Sequence, residues 1–117
     1  MPQPNTKEEF EQVMRNCREL FVKKLHDYGT AWRVMRPETM TDQIFIKAAR
    51  IRSLQIKKRA MVDEGITSEF IGIVNYSLIA LIQLEKGVAN EEDITPEEAI
   101  KLYDKHAQQS LELMLKK

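Results

Sequence analysis

A single cysteine, Cys17, leaves no disulfide to be made within the chain and excludes the small disulfide-stapled secreted folds. Glycine and proline, at four each, are too scarce to punctuate a β-rich protein; the long stretches free of both favour helix. The opening MPQPNTKEEF has no basic-then-apolar secretory pattern, and nothing in the chain reads as a transmembrane segment. Also missing are nucleophilic serine motifs, P-loops, GxGxxG, HxxxH and CxxC, and His26 and His106 stand far apart. The compartment these absences imply is the cytoplasm. A chain of 117 residues, 43% hydrophobic and 31% charged, is expected to form one domain around one core.

Net charge is zero, which argues against a general nucleic-acid binder, but the charges are unevenly placed. Six bases (Lys47, Arg50, Arg52, Lys57, Lys58, Arg59) and no acid lie between Gln43 and Met61, and six acids with one lysine lie between Glu85 and Glu98. The basic run suits either a solvated helix face or an anionic small ligand. A nucleic-acid contact through residues 47–59 is a weaker reading, and the acidic segment counts against it.

Hydrophobic periodicity predicts four helices and no strand, an all-α, four-helix bundle-like fold. Residues 1–5 read as a disordered lead-in to a single helical domain over 6–117. Thr6-Lys7-Glu8-Glu9 has the form of a capping box. The apolar positions Phe10, Val13, Met14, Cys17, Leu20, Phe21 and Leu25 then carry helix 1 over 7–26, with Gly29 as its left-handed stop. Residues 27–41 form the one long connection, with a helical turn near Ala31–Met35. Thr41 is expected to cap helix 2, Asp42–Asp63, whose apolar residues point several ways, as on a helix packed against more than one neighbour. EGITS (64–68) is expected to turn into helix 3. Its core, Phe70–Leu84, is apolar nearly all round and reads as the central, most buried helix. Thr95-Pro96-Glu97-Glu98 is a strong start for helix 4, whose tail LELMLKK echoes RELFVKK of helix 1.

Three places could carry chemistry. At 100° per residue Ser68, Gly72 and Asn75 fall on one line, with Tyr76 and Gln83 beside it: either a close-packing notch or a groove facing a ligand. In the cassette 26–36, Trp32 and Tyr28 could stack a base while Arg33 and Arg36 hold phosphate; alternatively the aromatics close the core and the arginines are solvated. Asp27 sits where the helix dipole disfavours an anion. Lys47 and Arg50 share one face of helix 2, a charge pair suited to phosphate.

The ordered combination HDYG, AWR, DQI-x-x-K-x-x-R, EGI and NY, over about residues 17–86, resembles the nucleotide-modification-associated domain family of bacteria and phages, a domain of unknown function. That family is distantly similar to the all-α nucleoside triphosphate pyrophosphohydrolases of the MazG and dimeric dUTPase type, which cleave between α and β phosphates with Mg²⁺ and assemble through shared helices. The resemblance implies a MazG-like architecture and places Asp27, Tyr28, Gly29, Trp32, Lys47, Arg50, Glu64, Asn75 and Tyr76 around a nucleotide-like pocket. Phage relatives carry acids where this chain has Ser68 and Gly72, so only Glu64, Glu69 and Asp42 are left to meet Mg²⁺, a thin set for that ion. Many relatives carry the DYG–AWR cassette twice, and this chain looks like the first copy with the helix leading into a second.

The expectation is therefore a helical domain that binds a nucleotide or other phosphorylated small molecule through Asp27, Tyr28, Trp32, Arg33, Arg36, Lys47, Arg50, Asn75 and Tyr76. Its metal site is degenerate and its capacity for hydrolysis in question. The rival is a non-catalytic assembly module whose multi-sided helices bury against a second copy. A homo-oligomer fits both.

Overall fold

The computed structural model describes residues 5–57 and 62–116, with side chains from residue 65 onward in the second stretch. Four α-helices and one 3-10 turn make up the described residues: α1 (Thr6–Tyr28), the turn Ala31–Val34, α2 (Pro37–Lys57), α3 (Val62–Lys86) and α4 (Pro96–Leu115). No strand occurs among them, so the protein is all-α. They form two compact units, Met1–Val34 with Ala89–Lys117, and Met35–Val88.

In the first unit, Cys17, Phe21 and Leu25 are buried at successive turns of α1, and Ala99, Tyr103 and Leu111 are buried on α4. Phe21 links the two helices: its ring stacks on Tyr103 at 4.3 Å between centroids and meets Trp32 at 6.5 Å. Burial pushes the Tyr103 hydroxyl well above its ordinary value of 10.0 and the Cys17 thiol above 9.0. Outside this core Arg18 grips Asp104 with two hydrogen bonds of 2.8 and 3.1 Å, a half-exposed pair that adds little to stability.

Helix ends follow local chemistry where it is unambiguous. Thr95 accepts from the Glu98 N–H at 3.1 Å while the Glu98 carboxylate accepts from the Thr95 N–H at 3.0 Å, the expected capping box. The box expected at Thr6 does not form. Helix α1 starts at Thr6 with Asn5 as its cap, without a side-chain cap bond, and the Asn5 carbonyl accepts from Glu9 N–H at 2.9 Å. Gly29 closes α1 as expected, at φ 66° and ψ −151°, a region open to glycine almost alone. The lead-in expected at 1–5 lies, apart from Asn5, outside the described residues.

The second unit is an antiparallel hairpin. Leu54 faces Gly65, Arg50 meets Glu69, Lys47 lies over Gly72, and the Gln83 side-chain amide donates to the Met35 carbonyl at 2.6 Å. Two boundaries differ from expectation. Helix α2 begins at Pro37, not at a Thr41 cap, because proline at the first helical position lacks only an N–H that would be unpaired there anyway. Thr41 is interior, its hydroxyl donating back to the Pro37 carbonyl at 3.3 Å. EGITS is helical, part of α3 rather than a turn, with Gly65 inside the helix and facing the Leu54 side chain.

Helix α3 is also less buried than expected. Asn75, Leu78, Ile79, Ile82 and Gln83 are buried, but Phe70, Leu81 and Leu84 are exposed. Because the helix is longer than the stretch read from the sequence, its Gly65–Lys86 part reaches, by length and composition alone, what a membrane crossing needs, at mean hydropathy 1.5. On α2, Ile51 is buried whereas Phe45 and Ile56 are exposed, so that helix does keep apolar residues on more than one side.

Candidate functional site

The cassette is built into the first unit by the acidic loop that follows α3. Thr30, the residue before the 3-10 turn, is buried; its N–H donates to Glu92 Oε1 at 2.8 Å and its hydroxyl lies 3.3 Å from both that oxygen and the Ile94 carbonyl. Arg33 is 2% exposed and donates to Asp93 through Nε at 2.8 Å and Nη2 at 3.3 Å. Its carbonyl accepts from Ala89 N–H at 3.0 Å. Gly29 is required here for its positive φ; a Cβ would also stand 2.8 Å from Glu92 Oε1 and push that side chain off the Thr30 N–H. Trp32 packs on Phe21 and is half-buried; Asp27, Tyr28 and Arg36 are exposed, Tyr28 with Lys24 Nζ 6.0 Å from its ring. The chemistry of this region is thus that of a well-satisfied structural corner.

Glu92 and Asp93 are the residues that the sequence reading missed. They stand about sixty positions from their partners, and their only signal was an acidic run placed after an arginine-bearing cassette.

The hairpin holds a different arrangement. Lys47 and Arg50 are one helical turn apart on α2, and Glu69, Gly72 and Tyr76 follow one line on α3. The Lys47 stem lies across Gly72, where an added Cβ would stand 2.6 Å from Cδ and Cε, and Nζ reaches to 5.7 Å from the Tyr76 ring centre. Gly72 is therefore a close-packing notch filled by a flexible chain. Arg50, 60% exposed, approaches Glu69 at only 3.7 Å, while Glu69 is 16% exposed. The Glu69 Oε2 atom is buried with no hydrogen-bond partner. Among the described residues no carboxylate forms an ion pair with Lys47. A buried carboxylate oxygen without a donor is costly, and the one cation that approaches this carboxylate, Arg50, does so only at 3.7 Å.

Other expected site residues lie on the same two helices. Asn75 is 8% exposed and precedes Tyr76 by one residue, about 100° round the helix. Asp42 is exposed near the start of α2. Glu64, together with Lys58 and Arg59 of the basic run, falls outside the residues whose side chains are described. Among the described residues no three His, Cys, Asp or Glu side chains converge as metal ligands. In the first unit, α1 and α4 enclose an open groove of about 290 Å³ with Phe10, Met14, Ala107 and Leu111 on its walls and the Arg18–Asp104 pair at its rim.

The model of the nucleotide modification associated domain 1 family matches residues 24–84, which is 61 of the 117 residues, and the chain belongs to that family. The match takes in the cassette and the hairpin cluster, but not Glu92, Asp93 or the α1–α4 groove. No curated protein and no solved structure matches the chain.

Proposed function

We propose that this member of the nucleotide modification associated domain 1 family binds a phosphate-bearing nucleotide at the α2–α3 cluster, in the cytoplasm. The observation that carries the reading is the unpartnered Glu69 oxygen, on a carboxylate that Arg50 approaches at only 3.7 Å, with Lys47 one helical turn from Arg50 on α2. Arg50, loosely held, and Lys47, whose stem can leave the Gly72 notch, supply cationic donors for phosphate. Glu69 accepts an N–H from the base or a hydroxyl from the sugar, and Tyr76 offers a ring face. The likeness to all-α nucleoside triphosphate pyrophosphohydrolases drawn from the sequence supplies the ligand class.

The donor set supports binding rather than hydrolysis. Glu69 alone is a poor cage for Mg²⁺, and no three ligands converge among the described residues. Mg²⁺ would arrive with a triphosphate as its counter-ion. Asp27, Tyr28, Trp32, Arg33 and Arg36 are left out of the binding set.

The test is thermal unfolding of the full chain against ribo- and deoxynucleoside mono- and triphosphates, with and without Mg²⁺. A ligand at about 100 times its dissociation constant adds about 2.7 kcal/mol, a rise of several degrees. A nucleotide-dependent rise that inorganic phosphate does not reproduce is the expected result. A cooperative transition that no nucleotide moves would overturn the reading.

A further inference from the structure

The face of α3 turned away from its covered side carries an apolar stripe: Phe70, Ile73, Ser77, Leu81 and Leu84. Phe70 is 51%, Leu81 40% and Leu84 68% exposed, and Ile73 is half-buried. A helix this apolar is stable in water only if most of its surface is covered, and the hairpin leaves this side bare.

The stripe is symmetric about its centre. Counted from Ser77, Ile73 and Leu81 lie four residues away on either side, and Phe70 and Leu84 seven. Laid antiparallel on a second copy about a two-fold axis at Ser77, it sets Ile73 against Leu81, Phe70 against Leu84, and Ser77 against itself. That is the pattern an isologous interface demands, in which residue i meets j and j meets i. Ser77 suits the crossing point: it is small, and its hydroxyl already donates to the Ile73 carbonyl at 2.7 Å, so covering it strands no polar group.

We infer that α3 pairs antiparallel with α3 of a second copy of this chain, centred on Ser77. Lipid is the poorer occupant. Lys47 and Arg50 flank the middle of α3, and hydrocarbon around the hairpin would have to accept both charges. The stripe spans about 21 Å at the helical rise, so one helix pair buries well under the about 1,200 Å² of a standard interface. The pairing is accordingly concentration-dependent.

The test uses the full chain with Ser77→Cys, Phe70→Cys or Leu84→Cys under mild oxidation, Cys17 being fully buried and silent. Ser77→Cys should form a disulfide dimer by itself. Phe70→Cys and Leu84→Cys should cross-link to each other in a mixture, in preference to either with itself. Self-linked 70–70 and 84–84 dimers at the expense of the mixed one would mean a parallel pairing and overturn the inference, as would failure of all three to cross-link. By sedimentation equilibrium, Leu84→Glu, an exposed position, should raise the dimer dissociation constant by about tenfold or more with helix content unchanged. A wild-type chain still monomeric at about 500 µM, far above a micromolar dissociation constant, or one that binds neutral phospholipid vesicles instead of itself, would overturn the inference.

Discussion

Arg33 and Arg50 read alike in the sequence, each a basic residue in a stretch suited to holding phosphate, but the two surroundings differ in kind. Arg33 is 2% exposed and spends its planar fork on Asp93, and its neighbour Thr30 is anchored by Glu92. Arg50 is 60% exposed and meets a carboxylate at 3.7 Å that keeps a buried oxygen unpartnered. Buried and paired with Asp93 through two hydrogen bonds, the first is held within its own unit. The second stands beside a polar valence the protein does not itself fill, which is the condition for recognising something else. The difference lies in the partners available, not in the arginines.

The largest way to break that comparison is Arg33→Ala. It removes a buried side chain and its two bonds to Asp93, itself 44% exposed, and the space it opens should cost about 2–4 kcal/mol, a fall in Tm on the order of ten degrees. Nucleotide affinity measured below the transition should stay near that of the wild type. A variant that melts like the wild type but no longer binds would reverse the roles of the two regions.

A smaller effect sets the units apart by pH. Tyr103 and Cys17 have folded-state pKa values raised by burial above 10.0 and 9.0, so the unfolded chain gives up these protons first. Stability is then full below about pH 9 and is lost as pH rises, by up to about 1.4 kcal/mol per unit for each group once it ionises in the unfolded state. Urea denaturation from pH 7 to 11 should show this decline, and Tyr103→Phe should abolish the part that sets in near pH 10. A wild-type profile flat to pH 11 would contradict the buried, neutral tyrosine.

How much of this was legible in the sequence depended on the range of the cause. Thr95-Pro96-Glu97-Glu98 could be read because every partner in a capping box lies within three residues. The burial of Cys17, Phe21 and Leu25 followed from their spacing, and the shared face of Lys47 and Arg50 from helix geometry. The start expected at Thr41 was too late, because a threonine inside a helix and one at its cap look alike in the sequence. Gly65 read as a turn because glycine is commoner in turns than inside helices, whereas here it lies inside α3. The roles of Arg33 and Thr30 depended on Glu92 and Asp93, about sixty residues on, and no local pattern carries such a contact. The Gly72 line was visible, but what fills it, the Lys47 stem, was not.

The most direct measurement is a calorimetric titration of the best nucleotide from the thermal panel into three proteins: wild type, Arg50→Ala and Tyr28→Ala. Both substituted side chains are exposed, at 60% and 72%, so both variants should fold. With the hairpin cluster as the site, Arg50→Ala weakens binding by about tenfold or more, the worth of a charge-assisted hydrogen bond, and Tyr28→Ala leaves it within about twofold. Lost affinity in Tyr28→Ala with full affinity in Arg50→Ala would contradict the account and return the site to the cassette.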